Sequence, residues 1–352
     1  MPVCRCGAID IHTHIVPFTF PSYMGAGSAP AGWPSMAAGA CGHRNVMIAD
    51  KVYRTVAEAA WNGESRLRDM QEMAVQAQVL SPMPELLSYW MEPKAASQLL
   101  RYLNDSIAAM VAEHPGRFHG LGAIPLQDMD AALRELEYVV RTLGLPGVEI
   151  GTNVGGKVIG DPSFAPFWEA VADLNAAVFV HPLRPTGMDR LVGPPALQQV
   201  LAFPVEAGLA AASLITGGVI ARHPTLSVAF SHGAGALGAL LPRLQQGWQA
   251  NPTLREMLDS SPVELARRLY VDSLVYSDEA VAGLIEMYGD SQVMVGSDYP
   301  FRIRERDPVG RIQRLQLSPE QRESILGGNA RRWLGLSGQT TTSSRQAGSA
   351  GG

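Results

Sequence analysis

Hydrophobic positions in this chain come in short bursts. Near-continuous apolar runs lie at Ala8–His14, Val75–Met83, Phe118–Leu126, Gly147–Thr152, Ala176–Pro182, Ser227–Gly233, Leu269–Val275 and Gln292–Pro300. Most are separated by stretches with helical spacing: Glu64–Ala74, Pro93–Glu113, Met129–Leu143, Pro162–Leu174, Pro195–Ile220, Gly235–Trp248 and Asp278–Tyr288. Strands that are apolar throughout, alternating with amphipathic helices, are parallel strands buried on both faces. Eight such units predict an α/β fold of the (β/α)8 TIM-barrel type. Helix boundaries agree: Asp161-Pro162 and Ser318-Pro319-Glu320 put proline in a first turn, and Gly217-Gly218 and Gly327-Gly328 are expected to close helices.

Two regions break the repeat. Residues 15–62, rich in Gly, Pro, Ala and Met, form an insertion between the first strand and its helix, with Asp50–Thr55 expected as part of a hairpin arm. An insertion there falls at the C-terminal mouth of a barrel, where active sites are built. Residues 337–352 are a Ser/Thr/Gly/Gln-rich tail, expected to be disordered, which leaves 1–336 as the barrel domain.

Composition narrows the class. Of 352 residues, 46% are hydrophobic and 17% charged, enough for one large core. The formal net charge of −5, with no Lys/Arg run, gives nucleic-acid binding no support. No apolar stretch is expected to reach the roughly 18–20 residues of a membrane span. Met1–Gly7 lacks the apolar core and cleavage site of a signal peptide. Cys4, Cys6 and Cys41 form no zinc-ribbon spacing and read as reduced thiols of a cytoplasmic protein.

The chemistry sits at the strand ends. In Ile9-Asp10-Ile11-His12-Thr13-His14, alternation puts Asp10, His12 and His14 on one side of the first strand. The fifth, sixth and eighth strands end in Val180-His181-Pro182, Ser231-His232-Gly233 and Ser297-Asp298-Tyr299. Any one of these alone reads as a packed histidine or a turn aspartate. Together they fall where barrel strands converge. Imidazole and carboxylate suit a divalent cation such as zinc. Asp10 lies deeper than the two histidines and is expected to support the site from behind them.

These motifs resemble the amidohydrolase superfamily, in the branch of metal-dependent decarboxylases typified by 2-amino-3-carboxymuconate-6-semialdehyde decarboxylase. The likeness spans about Ala8 to Leu336 and includes LGAIPLQ at Leu121–Gln127, GVEIGT at Gly147–Thr152 and GGNA at Gly327–Ala330. It implies that His12, His14, His181 and Asp298 hold one divalent ion, usually zinc, with manganese as the alternative. It implies that His232 shuttles the proton, so that His232 and Asp298 form the catalytic set. It also implies that Arg243 reaches into a partner subunit's site to bind a substrate carboxylate, making the enzyme a homodimer. Arg54 falls where the branch has a second substrate-binding arginine. Two departures stand out. Leu183-Arg184 replaces the Trp-Asp expected after the strand-five His-Pro, and an aromatic wall residue is missing in Gln198–Phe203. Arg184 could therefore add a third cation to the substrate site, or be a surface loop residue. Glu149 on the fourth strand stands where two-metal relatives bridge their ions; a hydrogen bond within the barrel is its expected role here.

The leading expectation is a non-oxidative decarboxylase of a small carboxylated aromatic or muconate-semialdehyde-type acid. A hydrolase or hydratase of the same superfamily uses the same parts on a small anionic cyclic substrate. A non-catalytic barrel would need no metal, against which the complete ligand set speaks.

Overall fold

The computed structural model describes residues 7–258 and 260–336. Cys4, Cys6 and the tail 337–352 lie outside the described residues.

Eight parallel strands build the barrel: β1 (Ile9–Ile15), β2 (Ala77–Pro82), β3 (Phe118–Ala123), β4 (Gly147–Gly151), β5 (Ala177–His181), β6 (Ser227–Phe230), β7 (Tyr270–Asp272) and β8 (Val293–Met294). Each pairs with its sequence neighbour. The ring closes through bridges Asp10–Val295 and Thr13–Tyr299, with His14 N donating to Tyr299 O at 2.7 Å and Asp298 N to His12 O at 2.9 Å. Strands 1 and 8 therefore meet beside the predicted ligands. Helices on the outside bury their apolar faces against the strands; Pro93–Glu113, for example, buries Leu99, Leu100, Leu103 and Ile107.

Most elements sit where periodicity placed them, and the differences have local causes. β6, β7 and β8 are shorter than their apolar runs, because the chain leaves the sheet once it reaches the mouth. His232 opens a short 3-10 turn, His232–Ala234, and Asp298 stands in the loop beyond β8. Gly327-Gly328 does not end a helix. The segment Ser324–Gly328 runs on into Asn329–Trp333, and Gly327 is there for space: a Cβ on it would lie 2.6 Å from the Gly7 carbonyl oxygen. The membrane expectation also needs correction, since Gln198–Thr216 is long and apolar enough by composition to span a bilayer. Part of that apolarity serves the core. Ala207, Ala210, Ala211, Leu214 and Ile215 are buried, and so is Glu206, which accepts from Asn153 at 2.7 Å.

The inserted segment carries a three-stranded antiparallel sheet of Ser35–Ala38, Arg44–Ile48 and Lys51–Val56. The expected hairpin at Asp50–Thr55 is its second turn and last strand, with Ala49 and Asp50 both at positive φ. This sheet brings Tyr53 and Arg54 to the mouth of the barrel.

Candidate metal centre and active site

Four side chains converge at the C-terminal end of the barrel. One donor atom from each of His12, His14, His181 and Asp298 lies within 4.8 Å of all the others, and all four residues are buried. Hydrogen bonds behind them fix which nitrogen each ring turns inward. His14 Nδ1 meets the Pro82 carbonyl at 3.1 Å and His181 Nδ1 meets the Pro182 carbonyl at 2.9 Å; a carbonyl only accepts, so both Nδ1 atoms donate. His12 Nδ1 donates to Asp272 Oδ2 at 2.6 Å. With their Nδ1 protons held behind them, His14 and His181 present lone pairs on Nε2, and His12 presents one when its ring is neutral. The Nε2 atoms of His12 and His14 stand 3.1 Å apart, and 3.5 and 3.3 Å from Asp298 Oδ1. Lone pairs facing one another in a buried site repel unless a cation lies between them. The donor set fits a divalent metal ion.

Electrostatics agree. Burial, with the neighbouring His14, holds His181 well below the ordinary imidazole pKa. Burial holds His14 down at about 4. Neutral rings are what a metal needs. Burial opposes charge on His12, but the Asp272 hydrogen bond and charge outweigh it and raise its pKa. Burial likewise opposes ionisation of Asp298, yet the His14 hydrogen bond and the His12 charge keep its carboxyl below the usual range.

His232 stands beside this group, its ring 5.3 Å from those of His12 and His181. Its Nδ1 engages the Ser231 hydroxyl at 3.1 Å, which leaves Nε2 for chemistry. Burial, with the neighbouring His12 charge, lowers its pKa to about 4, so it is neutral at rest. His232 and Asp298 are both non-glycine residues at positive φ, 56° and 65°. Such positions cost about 1–3 kcal/mol each and concentrate at functional sites.

Asp10 is not among the four converging donors. It accepts from the Ser297 hydroxyl, from Ser297 N at 3.1 Å and from His12 N at 3.2 Å, and burial raises it to about 7. Glu149 departs from expectation. Neither of its carboxylate oxygens has a hydrogen-bond partner among the described residues, Oε2 stands 3.7 Å from His14 Nδ1, and burial pushes it up to about 8. The ring nearest it donates to the Pro82 carbonyl instead.

Above the metal group opens a cavity of about 460 Å3, a size that admits a small aromatic acid. His181, His232 and Asp298 form its floor. On its wall the Arg54 guanidinium lies 4.2 Å from the Phe301 ring centre, and Phe301 stacks on His14. Arg184 also lines the wall, but its Nε and Nη2 both donate to Glu85 Oε1, at 3.2 and 2.6 Å. Arg243 is exposed on helix Leu237–Ala250 and does not line this chain's own cavity. Two functional neighbours escaped the sequence reading. Asp272 ends β7 as Asp298 follows β8, and that parallel was the available signal; Glu85, in the turn Pro84–Leu87 after β2, carried none.

The amidohydrolase family profile matches residues 9–336. The chain is 38% identical to 2-amino-3-carboxymuconate-6-semialdehyde decarboxylase of Dictyostelium discoideum over 332 residues, covering 93% of this chain and 91% of that one. Among solved structures, 5-carboxyvanillate decarboxylase from Sphingomonas paucimobilis is 28% identical, with a TM-score of 0.71 over 77% of this chain and 82% of that one. A dihydroxybenzoic acid decarboxylase from Polaromonas, with bound manganese and the inhibitor 2-nitroresorcinol, shares the fold at 21% identity, with a TM-score of 0.74 over 94% and 98%.

Proposed function

Because the chain belongs to the amidohydrolase family, we propose that it is a metal-dependent, non-oxidative decarboxylase of a small carboxylated aromatic or muconate-semialdehyde-type acid. One observation carries the reading: four lone-pair donors face one another at the floor of a cavity, with His232 beside them and Arg54 on the wall. The names of the matched relatives favour loss of carbon dioxide over hydrolysis.

His12, His14, His181 and Asp298 would hold the ion. When bound, a divalent ion supplies Lewis-acid polarisation of a substrate oxygen. Three imidazoles and one carboxylate favour zinc, and the manganese in the Polaromonas neighbour makes manganese the alternative. His232 is neutral at rest, so it acts first as a base and takes up on Nε2 the one proton from solvent that loss of carbon dioxide from a carboxylate consumes. It then delivers that proton to the ring or chain carbon as the bond to the departing carboxylate breaks and carbon dioxide leaves. Arg54 orients a substrate carboxylate through its guanidinium fork.

Arg243 would act on a partner's substrate. It shares its helix with exposed Leu240, and the adjoining helix Phe203–Thr216 exposes Val205 and Leu209. The two segments touch closely, since a Cβ on Gly208 would lie 2.7 Å from Leu237 N. That outward apolar surface supports a homodimer joined there. Cys41, an exposed free thiol, agrees with a cytoplasmic enzyme.

The test is metal analysis of the purified protein, with a carbon dioxide release screen over hydroxy-, amino- and semialdehyde-substituted carboxylic acids in 18O-water. Carbon dioxide with no label in the product supports decarboxylation; label without carbon dioxide establishes the hydrolase. Mixing Arg243→Ala with His232→Ala protein tests the dimer: activity returns in the mixture only if sites are shared across an interface.

A further inference from the structure

The cavity wall holds an arrangement that metal binding and proton transfer leave unused. Arg184 follows β5 directly, at a backbone φ of 42°, a region bulky side chains seldom occupy. Three contacts hold its guanidinium. It lies 3.1 Å from the Trp90 ring centre, and it spends both Nε and Nη2 on one oxygen of Glu85. Glu85, nearly buried, has its other oxygen 3.4 Å from the Tyr53 hydroxyl, which donates to it from the inserted sheet. Arg54 is the next residue in that sheet. Two cations and one anion thus share the wall, and the Nε/Nη2 edge of Arg184 is already occupied. Arg54 has no acidic partner among the ion pairs of the described residues.

We propose that Glu85 determines charge specificity: by neutralising Arg184 it leaves the wall with one net positive charge, so the cavity accepts one substrate carboxylate there and disfavours more. Its substrate chemistry rests on the decarboxylase reading. On this assignment Arg184 is a structural strut with its charge cancelled, and Arg54 alone meets the substrate.

Binding to metal-loaded protein tests it, with 2,6-dihydroxybenzoate as a one-carboxylate probe and 5-carboxyvanillate as a two-carboxylate probe, both measured by calorimetry. Glu85→Gln uncovers the Arg184 charge and raises the preference for the two-carboxylate probe by about tenfold, the scale expected of one added charge at close range. Arg184→Gln bares the Glu85 carboxylate and lowers that preference by a similar factor. Glu85→Gln combined with Arg184→Gln restores the wild-type preference. The contrary pattern, in which Glu85→Gln leaves the preference unchanged or lowers it and the double variant is as poor as Arg184→Gln, overturns the proposal, because Arg184 then binds substrate itself. Should Glu85→Gln alone fail to fold, the double variant decides beside Arg184→Gln: a wild-type preference in the double variant supports the proposal, and a double variant as poor as Arg184→Gln overturns it. Absence of binding by all variants overturns it too. Carbon dioxide release, followed separately, distinguishes the two readings. Shifted preferences without release sink the decarboxylase and leave the charge selection standing; release with unmoved preferences does the reverse.

Discussion

The floor and the wall of the cavity are built on different principles. Every floor residue lies on or just beyond a barrel strand, and the rings of His12, His14 and His181 are each held from behind by a carbonyl or carboxylate that fixes the tautomer. The wall is assembled from an inserted sheet and two connecting loops, and its contacts are side chain to side chain: Tyr53 to Glu85, Glu85 to Arg184, Arg184 over Trp90. A floor tied to the main-chain ladder keeps its geometry whatever the loops do, whereas a wall tied only through side chains can be re-specified one residue at a time. On the proposed function, chemistry belongs to the first and substrate choice to the second.

The largest expected effect is at the floor. His232→Ala lowers kcat by about 10²–10⁴-fold, the range for loss of a positioned acid–base group, while metal content by elemental analysis stays at the wild-type level. Normal turnover with intact metal would remove His232 from the mechanism. Next, Asp272→Asn weakens metal affinity by about 10–100-fold in a chelator-competition titration, because an amide can no longer accept the His12 Nδ1 proton without turning over. If affinity holds, the floor does not depend on its tautomer locks. At the wall, Arg54→Gln costs about 1.5–3 kcal/mol of charge-assisted binding, seen as a raised KM with kcat far less affected. A drop confined to kcat would move Arg54 from wall to floor.

The smallest effect is on stability. Glu149 has a folded-state pKa of about 8 against an ordinary 4.5, so the unfolded chain releases this proton first as pH rises. Its contribution is fully present below about pH 4.5 and is lost as pH climbs through about 8. Denaturant melts of metal-free wild type and Glu149→Gln, compared at about pH 5 and about pH 8, should show the variant gaining on the wild type at the higher pH. A constant difference would mean that Glu149 is already ionised in the folded chain at about pH 5.

The same division explains what the sequence disclosed. Parallel β-strands buried on both faces leave an unmistakable apolar run, and a histidine at the end of such a run is conspicuous; His12, His14, His181 and His232 were legible for that reason. Asp272 was not, because an aspartate closing a three-residue strand looks like a turn residue until its partner is seen. Glu85 and Arg184 are 99 residues apart in chain order, and no periodicity links them. The Gln198–Thr216 helix misled in another way. Buried alanines make a barrel helix as apolar as a membrane span, and only its single buried acid betrays the difference.

The seam between β1 and β8 has a consequence for how the protein comes into being. His12 lies on the first strand of the barrel and Asp298 beyond its last, yet the amide of Asp298 bonds the carbonyl of His12. A nascent chain can present a pair of histidines early, but the complete claw exists only once the final strand has docked. Tight ion capture would therefore report a closed barrel: a chain cut short before the last strand would lack the Asp298 ligand and lose an ion readily to competing chelators.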